Sequence, residues 1–199
     1  MNQSLRIIVA DDEPDMQQYF RKILPRLGHQ VIAVAANGRE LVEQCRVLQP
    51  DLVITDIKMP ELDSIEAASQ IYQDRPLPVI LVSAYHDPEL IARAEADHIL
   101  GYLVKPIKQA DLEPVIVLAL RRFEQFQALR REAADLRQAL EDRKLIERAK
   151  GILMKQVRLD EPDAFRRLQK LASDKNLKLA EAARIILTAD EALHPPEKP

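Results

Sequence analysis

Short apolar runs, each ending in a polar residue, recur through the first part of the chain. The runs are rich in Val and Ile, and they end at Asp11, Asp56, Ser83 and Lys105. Near-continuous apolar runs of this length predict buried strands of a parallel sheet that is covered on both faces. Because ligands bind at the carboxyl edge of such sheets, we expect these four polar side chains to lie together at one site.

Helix-like and strand-like segments alternate strictly over the first 120 residues. The predicted strands are 5–10, 30–35, 52–55, 79–82 and 101–104. The predicted helices are 14–27, 38–48, 64–73, 87–97 and 111–121. Leu27-Gly28 is expected to close the first helix, and Asn37-Gly38 to form a turn. Alternation with short connections predicts a doubly wound sheet of five parallel strands.

A single long helical pattern follows, over about 111–157. Asp111 is a candidate cap, which places Pro114 in the first turn. Apolar residues then alternate in steps of three and four: Phe126, Leu129, Ala133, Leu136 and Leu140. This seam predicts a dimerising or intramolecular helix pair, and the alternative is one helix that packs on its own domain.

Two further helices are predicted after the long one, so that the C-terminal part is a compact three-helix module. One begins at the candidate cap Asp160, and the other begins near Lys178. The expected domains are 1–121, a linking coiled coil over 122–139 and a helical module over 140–192. The tail 193–199 is expected to be disordered.

Composition separates the two parts and limits the functional classes. Residues 1–120 hold 11 Lys and Arg against 18 Asp and Glu, whereas 143–184 hold 12 against 6. A basic C-terminal part favours a polyanionic partner. The single cysteine, Cys45, excludes an internal disulfide and is expected to be buried. No run of 18 apolar residues and no signal-peptide pattern occur, which predicts a cytosolic protein without a membrane partner.

The polar strand ends carry the groups that a phosphorylation site needs. Asp56 is the candidate nucleophile, because it stands alone at the end of a central strand. Asp11 and Asp12 are expected to hold Mg2+, a hard cation that prefers oxygen ligands. Glu13 is a neighbour with no assigned role.

Three further groups complete the predicted site. The backbone carbonyl of Lys58 is a candidate metal ligand, Lys105 is expected to pair with a phosphoryl oxygen, and Ser83 to donate its hydroxyl. The alternative is that these residues are ordinary polar strand ends of an α/β domain. That alternative would explain a single aspartate, but it explains less well why all these groups occur together.

Residues 5–120 resemble the receiver domain of bacterial two-component response regulators. The matching segments are Asp11-Asp12, Asp56-Ile57-Lys58-Met59-Pro60, Ser83-Ala84 and Lys105-Pro106. The resemblance implies a flavodoxin-like fold, phosphorylation of Asp56 by a histidine kinase, and shifts of Ser83 and Tyr102 on activation. It also implies that Lys58 and Tyr85 influence phosphoryl lifetime. Ser64 stands where the family usually has glycine, which is expected to alter loop flexibility without affecting the chemistry.

Residues of about 140–190 are similar to the ANTAR domain, a three-helix RNA-binding output module. The resemblance rests on Glu147-Arg148-Ala149-Lys150-Gly151-Ile152-Leu153-Met154, Asp163-Ala164-Phe165-Arg166-Arg167-Leu168, Leu171-Ala172, Lys175-Asn176 and Leu179-Ala180-Glu181-Ala182-Ala183. It implies binding to paired hairpins in leader transcripts and control of transcription antitermination. A helix-interior glycine costs about 1 kcal/mol relative to alanine, so Ala149 and Gly151 suggest close approach by a helix or a ligand.

The candidate RNA contacts are basic side chains for phosphates and one amide for a base edge. They are Lys150, Arg148, Lys155, Arg166, Arg167, Lys170, Lys175, Lys178 and Asn176. Phosphorylation of Asp56 is expected to favour a homodimer that presents two RNA-binding modules. Two alternatives stay open, a DNA-binding output and a protein-docking output. An enzymatic output is disfavoured, because 121–199 holds one histidine, no cysteine and no glycine-rich phosphate loop.

Overall fold

The computed structural model describes residues 4–84 and 99–193. The chain divides into two compact units, Met1–Gln127 and Ala128–Pro199. The expected helix over 87–97, Tyr85 and the tail from His194 lie outside the described residues. The domain boundaries inferred from the sequence stay predictions.

The first unit is built on a five-stranded parallel sheet with the order β2-β1-β3-β4-β5. Its strands are β1 (Arg6–Ala10), β2 (Gln30–Ala35), β3 (Leu52–Asp56), β4 (Val79–Ser83) and β5 (Ile99–Val104). All described strand pairs are parallel. The prediction of a doubly wound flavodoxin-like sheet is confirmed, because the strand order reverses direction next to β1.

Helices cover both faces of this sheet. The described helices of the chain are α1 (Pro14–Arg26), α2 (Gly38–Leu48), α3 (Ser64–Asp74), α4 (Gln109–Gln156), α5 (Glu161–Asp174) and α6 (Leu179–Leu193). Alternate residues of β1 enter opposite cores: Ile8 packs with α2 and α3, whereas Ile7 packs with α1 and the first turns of α4. Cys45 lies in the α2–α3 core as expected, and burial raises its pKa to about 12.

The start of α4 differs from the prediction. Helix α4 begins before Asp111, whose carboxylate accepts a hydrogen bond from the backbone N–H of Lys108 at 3.3 Å. Asp111 is therefore the third residue of the helix and not its cap, in the reciprocal position of a capping box. Helix α2 begins at Gly38 as predicted, and Asn37 caps it by accepting a hydrogen bond from the Glu40 N–H at 2.8 Å.

Gly38 is required there by close approach. A Cβ at this position would overlap the backbone carbonyl of Leu62. The loop between β3 and α3 therefore crosses directly over the first turn of α2, next to the carboxyl edge of the sheet.

The second unit has a small core of short side chains from the end of α4, α5 and α6. Ala149 is fully buried in it, together with Leu168, Ala172, Ala182 and Ala183. The predicted close packing of Ala149 is confirmed. Gly151 differs, because a Cβ placed there meets no described atom within 4 Å beyond its chain neighbours and the nearby backbone of its own helix.

The predicted cap Asp160 is confirmed, since its carboxylate accepts from the Asp163 N–H at 2.8 Å. Among the described residues, no helix combines the length and the hydropathy needed to cross a membrane.

Candidate phosphoryl-transfer site and basic helical unit

Three aspartates meet at the carboxyl edge of the sheet. Asp11 follows β1, Asp56 ends β3, and one oxygen from each of Asp11, Asp12 and Asp56 lies within 4.8 Å of the others. β1 and β3 are hydrogen-bonded neighbours in register, Ala10 opposite Thr55. The convergence expected from the strand ends is therefore present.

Asp11 is held rigidly and is fully buried. One carboxylate oxygen accepts from the Glu13 N–H at 2.9 Å, and the Asp11 carbonyl accepts from the Gln17 amide at 2.7 Å. Burial raises the pKa of Asp11 above its ordinary value, and the Glu13 N–H and the nearby Lys105 ammonium offset that rise only in part. Additional positive charge in the pocket would therefore favour the charged form of Asp11.

Lys105 supplies one positive charge to three carboxylates. Its Nζ lies 2.9 Å from Glu13 Oε1, and 3.1 Å from an oxygen of each of Asp11 and Asp56. The side chain is only 14% exposed. Burial disfavours the charged ammonium, but hydrogen bonds to the three carboxylates outweigh burial and raise the pKa of Lys105. Lys105 is therefore charged throughout the physiological range.

Glu13, which the sequence left without a role, belongs to this network. It lies 92 positions from Lys105, and only the fold brings the two together. The signal in the sequence was its position directly after the Asp pair. A cis peptide bond joins Lys105 to Pro106.

The donor set fits a hard divalent cation. The second oxygen of Asp11 is buried, and its close neighbour among the described residues is the Lys105 ammonium at 3.1 Å. Carboxylate oxygens are the ligands that Mg2+ prefers. The pocket holds four carboxylates, from Asp11, Asp12, Glu13 and Asp56, against the one ammonium of Lys105. Receiver domains bind Mg2+ at an acidic pocket of this kind, and the structure clusters three aspartates here.

The remaining predicted pocket residues lie near this edge. Ser83 ends β4, is buried, and its carbonyl accepts from the Lys105 N–H at 2.8 Å. Tyr102 lies on β5 opposite Leu81 and packs half-buried against the core. Lys58 is exposed in the loop after β3. Their roles in switching and in metal binding stay predictions.

Ser64 has a structural role that the sequence did not indicate. It begins α3 and is fully buried, and its hydroxyl contacts the backbone carbonyl of Asp56 and lies 3.0 Å from the Thr55 hydroxyl. The predicted helix over 64–73 therefore begins at Ser64 as expected, and Ser64 does not lie in the loop that precedes it. The hydroxyl instead ties the start of α3 to the strand end that carries Asp56.

The exposed candidate RNA contacts of the second unit fall into two groups, those without an ion pair and those with one. Lys155, Arg167, Lys170, Lys175 and Lys178 are exposed, and no ion pair is recorded for them in the described chain. Arg166 pairs with Asp163 at 3.1 Å, and Arg148 lies 3.8 Å from Glu191.

Lys150 is the exception, because it is buried. Its ammonium lies 2.6 Å from Glu161 and 3.1 Å from Glu147. Contact with an RNA phosphate stays a prediction, and this placement does not favour it.

Asn176 has a structural reason for its identity. Its φ is +53°, and the N–H of Leu177 bonds back to Ala172 across the end of α5. Asparagine tolerates this left-handed conformation better than most residues. The helix end thus explains Asn176 without RNA, and a base contact stays a prediction.

Comparison with known proteins accounts for both units. The response regulator receiver domain matches residues 7–117, and the ANTAR domain matches residues 134–187. The chain belongs to the response regulator family, with a receiver domain and an ANTAR output domain. This response regulator is 39% identical over 182 residues to the transcriptional regulatory protein PdtaR of Mycobacterium tuberculosis. The match covers 92% of this chain and 89% of that protein.

Solved receiver structures resemble the first unit of this response regulator. The signal receiver domain of a modulated diguanylate cyclase from Desulfovibrio desulfuricans is 28% identical with a TM-score of 0.58, covering 62% of this chain and 98% of that one. A CheX–CheY–BeF3–Mg complex from Borrelia burgdorferi is 26% identical with a TM-score of 0.52, covering 56% and 85%. A receiver domain implies a histidine kinase as partner, and an ANTAR domain implies RNA binding.

Proposed function

We propose that a histidine kinase phosphorylates Asp56 and that phosphorylation controls RNA binding by the ANTAR domain, and through it transcription antitermination. The observation that carries this proposal is the shared ammonium of Lys105 among clustered carboxylates at the sheet edge, in a chain that also has an ANTAR domain. Nascent transcripts are the target, so the protein acts in the cytoplasm.

Asp56 is the nucleophile in this proposal. One of its carboxylate oxygens attacks the phosphorus of a phosphohistidine, a P–O bond forms, the P–N bond breaks, and the departing imidazole takes up a proton. Asp11, Asp12, Asp56 and the carbonyl of Lys58 hold Mg2+, which offsets negative charge on the phosphoryl group when bound.

Lys105 and Ser83 then bind phosphoryl oxygens, the first as a charged donor and the second through its hydroxyl. Ser83 and Tyr102 form the switch, because Ser83 ends the strand next to the one that carries Tyr102. The bound Mg2+ of the Borrelia burgdorferi complex supports the same metal in this pocket.

RNA contact is assigned to exposed side chains of α5 and of the turn that follows it. Arg166, Arg167, Lys175 and Lys178 are exposed there, and Asn176 stands at the tip of the turn. Basic side chains at this spacing bind backbone phosphates, while recognition of unpaired loop bases gives sequence preference. Arg148 on α4 extends the same basic set.

A homodimer is assigned to the seam on α4. Leu129, Leu136 and Leu140 are 64%, 60% and 59% exposed, far more than leucines of a packed helix. Arg130, Arg137 and Lys144 repeat every seven residues along one side of this seam. An antiparallel pair would set these basic rows against each other, so we infer a parallel pair in which Glu132 meets Arg137 of the second copy.

The test measures RNA binding by the full chain with and without acetyl phosphate and Mg2+. The probes are an RNA with two hairpins and a duplex DNA of equal length. We expect RNA-selective binding that strengthens on phosphorylation and a parallel rise in dimer fraction by light scattering. Asp56→Ala should abolish both responses. Asp135→Ala, which removes an exposed carboxylate outside the pocket, should keep them.

Preference for DNA would replace the RNA output with a DNA-binding one. Absence of salt-sensitive binding to either nucleic acid would favour a protein-docking output. Phosphorylation at Asp56 that leaves RNA affinity unchanged would refute the proposed control.

A further inference from the structure

Lys150 is the most buried basic side chain in the described part of the second unit. The residue is 8% exposed, whereas the other candidate RNA-binding lysines are exposed. Its ammonium lies 2.6 Å from one oxygen of Glu161 and 3.1 Å from both oxygens of Glu147. Three charge-assisted hydrogen bonds fill the donor capacity of an ammonium.

The charge around Lys150 is negative. One ammonium stands between two carboxylates, and the hydrogen bonds that it donates to Glu161 and then to Glu147 raise the pKa of Lys150. A phosphate that approached this lysine would meet both glutamates at nearly the same distance. Direct phosphate contact would therefore require breaking hydrogen bonds that already satisfy the ammonium.

The partners of Lys150 come from two helices. Glu147 lies one turn earlier on α4, and Glu161 is the first residue of α5, directly after the capping residue Asp160. The ammonium also stands 5.9 Å from the centre of the Phe165 ring on α5. Lys150 thus joins the end of α4 to the start of α5 across a turn that contains the left-handed residue Arg158.

Glu161 is well placed for this junction. A carboxylate in the first turn of a helix is favoured by the helix dipole, so the α5 terminus and Lys150 both stabilise it. The orientation of α5 determines the positions of Arg166 and Arg167. If the contact between α4 and α5 were not fixed, these side chains would occupy many positions.

We propose that Lys150 is a positioning residue: it fixes α5 against α4 through Glu161 and Glu147, and does not itself bind an RNA phosphate. The second half of this statement rests on the proposed RNA-binding function. The first half concerns folding alone and can be tested without RNA.

The experiment combines urea denaturation with RNA affinity as a function of salt, on the full chain. Lys150→Met removes the ammonium of the Lys150–Glu161 pair, and Glu161→Gln removes its carboxylate. The double variant completes a double-mutant cycle for this pair. Lys170→Met removes an exposed lysine of α5 that has no recorded ion pair and serves as the folding control. Far-UV circular dichroism follows the helices, and a two-hairpin RNA is titrated at several salt concentrations.

We expect Lys150→Met and Glu161→Gln each to lower the urea midpoint of the helical signal, and the double variant to fall less than additively. Lys170→Met should leave that midpoint unchanged. Lys150→Met should weaken RNA binding at every salt concentration by the same factor, with the slope of log affinity against log salt unchanged. Loss of a true phosphate contact lowers that slope by about 0.7 to 0.9.

A lower salt slope for Lys150→Met would overturn the proposal, whether or not the midpoint falls. Unchanged urea midpoints, or additive effects in the double variant, would also overturn it, because the pair would then not fix the junction. If the wild-type chain does not bind the RNA at all, the proposed function fails, and the denaturation cycle still decides whether Lys150 positions α5.

Discussion

Two glycines of this chain should respond to alanine in opposite directions. Gly151 lies inside α4, and nothing in the described chain is within 4 Å of a Cβ built there. Gly38 begins α2, and a Cβ there would overlap the Leu62 carbonyl. Substitution by alanine therefore tests backbone entropy at Gly151 and steric overlap at Gly38.

The magnitudes follow from these surroundings. Gly151→Ala should stabilise its unit by about 0.5 to 1 kcal/mol, the usual helix-interior gain of alanine over glycine, because no neighbour opposes it. Gly38→Ala should destabilise its unit by about 1 to 3 kcal/mol, because a backbone carbonyl must move to make room.

Urea denaturation with two optical signals assigns each effect to a unit. All four tyrosines, Tyr19, Tyr72, Tyr85 and Tyr102, belong to the first unit, and the chain has no tryptophan. Tyrosine fluorescence therefore follows the receiver unit, whereas far-UV circular dichroism follows the helices of both. With slopes of about 1 to 3 kcal/mol per molar urea, a change of 1 kcal/mol moves a midpoint by about 0.3 to 1 M.

We expect Gly38→Ala to lower the tyrosine midpoint, and Gly151→Ala to raise the midpoint of the helical signal. A lower helical midpoint for Gly151→Ala would refute the reasoning, since it would mean that a Cβ at residue 151 meets an atom in the folded protein. A tyrosine midpoint unchanged by Gly38→Ala would refute the close approach of Leu62.

Three further outcomes are expected. Ser64→Gly should lower the free energy of unfolding of the first unit by about 1 to 2 kcal/mol, because it removes the hydroxyl bound to the Asp56 carbonyl and adds a helical glycine. The tyrosine midpoint should fall accordingly, and an unchanged midpoint would contradict this. Glu132→Lys and Arg137→Glu should each weaken the dimer by up to about 1 kcal/mol, and the double variant should restore it in sedimentation equilibrium, unless the helices pair antiparallel. Cys45 should resist thiol reagents in the folded protein. Since its pKa rises from 9.0 to about 12 on folding, stability should fall between these pH values, and Cys45→Ala should reduce that fall.

The sheet and its acidic edge were predictable because both depend on local patterns. Buried parallel strands need continuous apolar runs, and β3 from Leu52 to Asp56 is buried throughout. Strand direction alone then brings residues such as Asp11 and Asp56 to one edge. The long α4 was predictable for the same reason, since apolar spacing and propensity extend without a break from about 111.

Features that depend on partners distant in sequence were not predictable. Glu13 and Lys105 meet across 92 positions, and Lys150 meets Glu161 across a turn. In the sequence, Lys105 and Lys150 each stand in a motif where a free basic side chain is expected. Composition gives no sign that carboxylates of the same chain pair with both ammonium groups. The predicted start of α4 was two residues late, because the Asp111 carboxylate bonds back to the Lys108 N–H from inside the first turn and does not cap the helix.

The ammonium of Lys105 is shared by Asp11, Glu13 and Asp56, which limits how it can respond to new negative charge in the pocket. Its ammonium serves three carboxylates at 2.9 to 3.1 Å, so it cannot strengthen one contact without weakening another. An acyl phosphate on Asp56 carries more negative charge than the carboxylate it replaces and projects further from the strand. If Asp56 is phosphorylated as proposed, the acyl phosphate would compete with Glu13 for the same ammonium, and Glu13 is the most exposed of the three carboxylates that Lys105 binds. Release of Glu13 costs little because water can solvate it, whereas the buried Asp11 depends on the positive charge that remains.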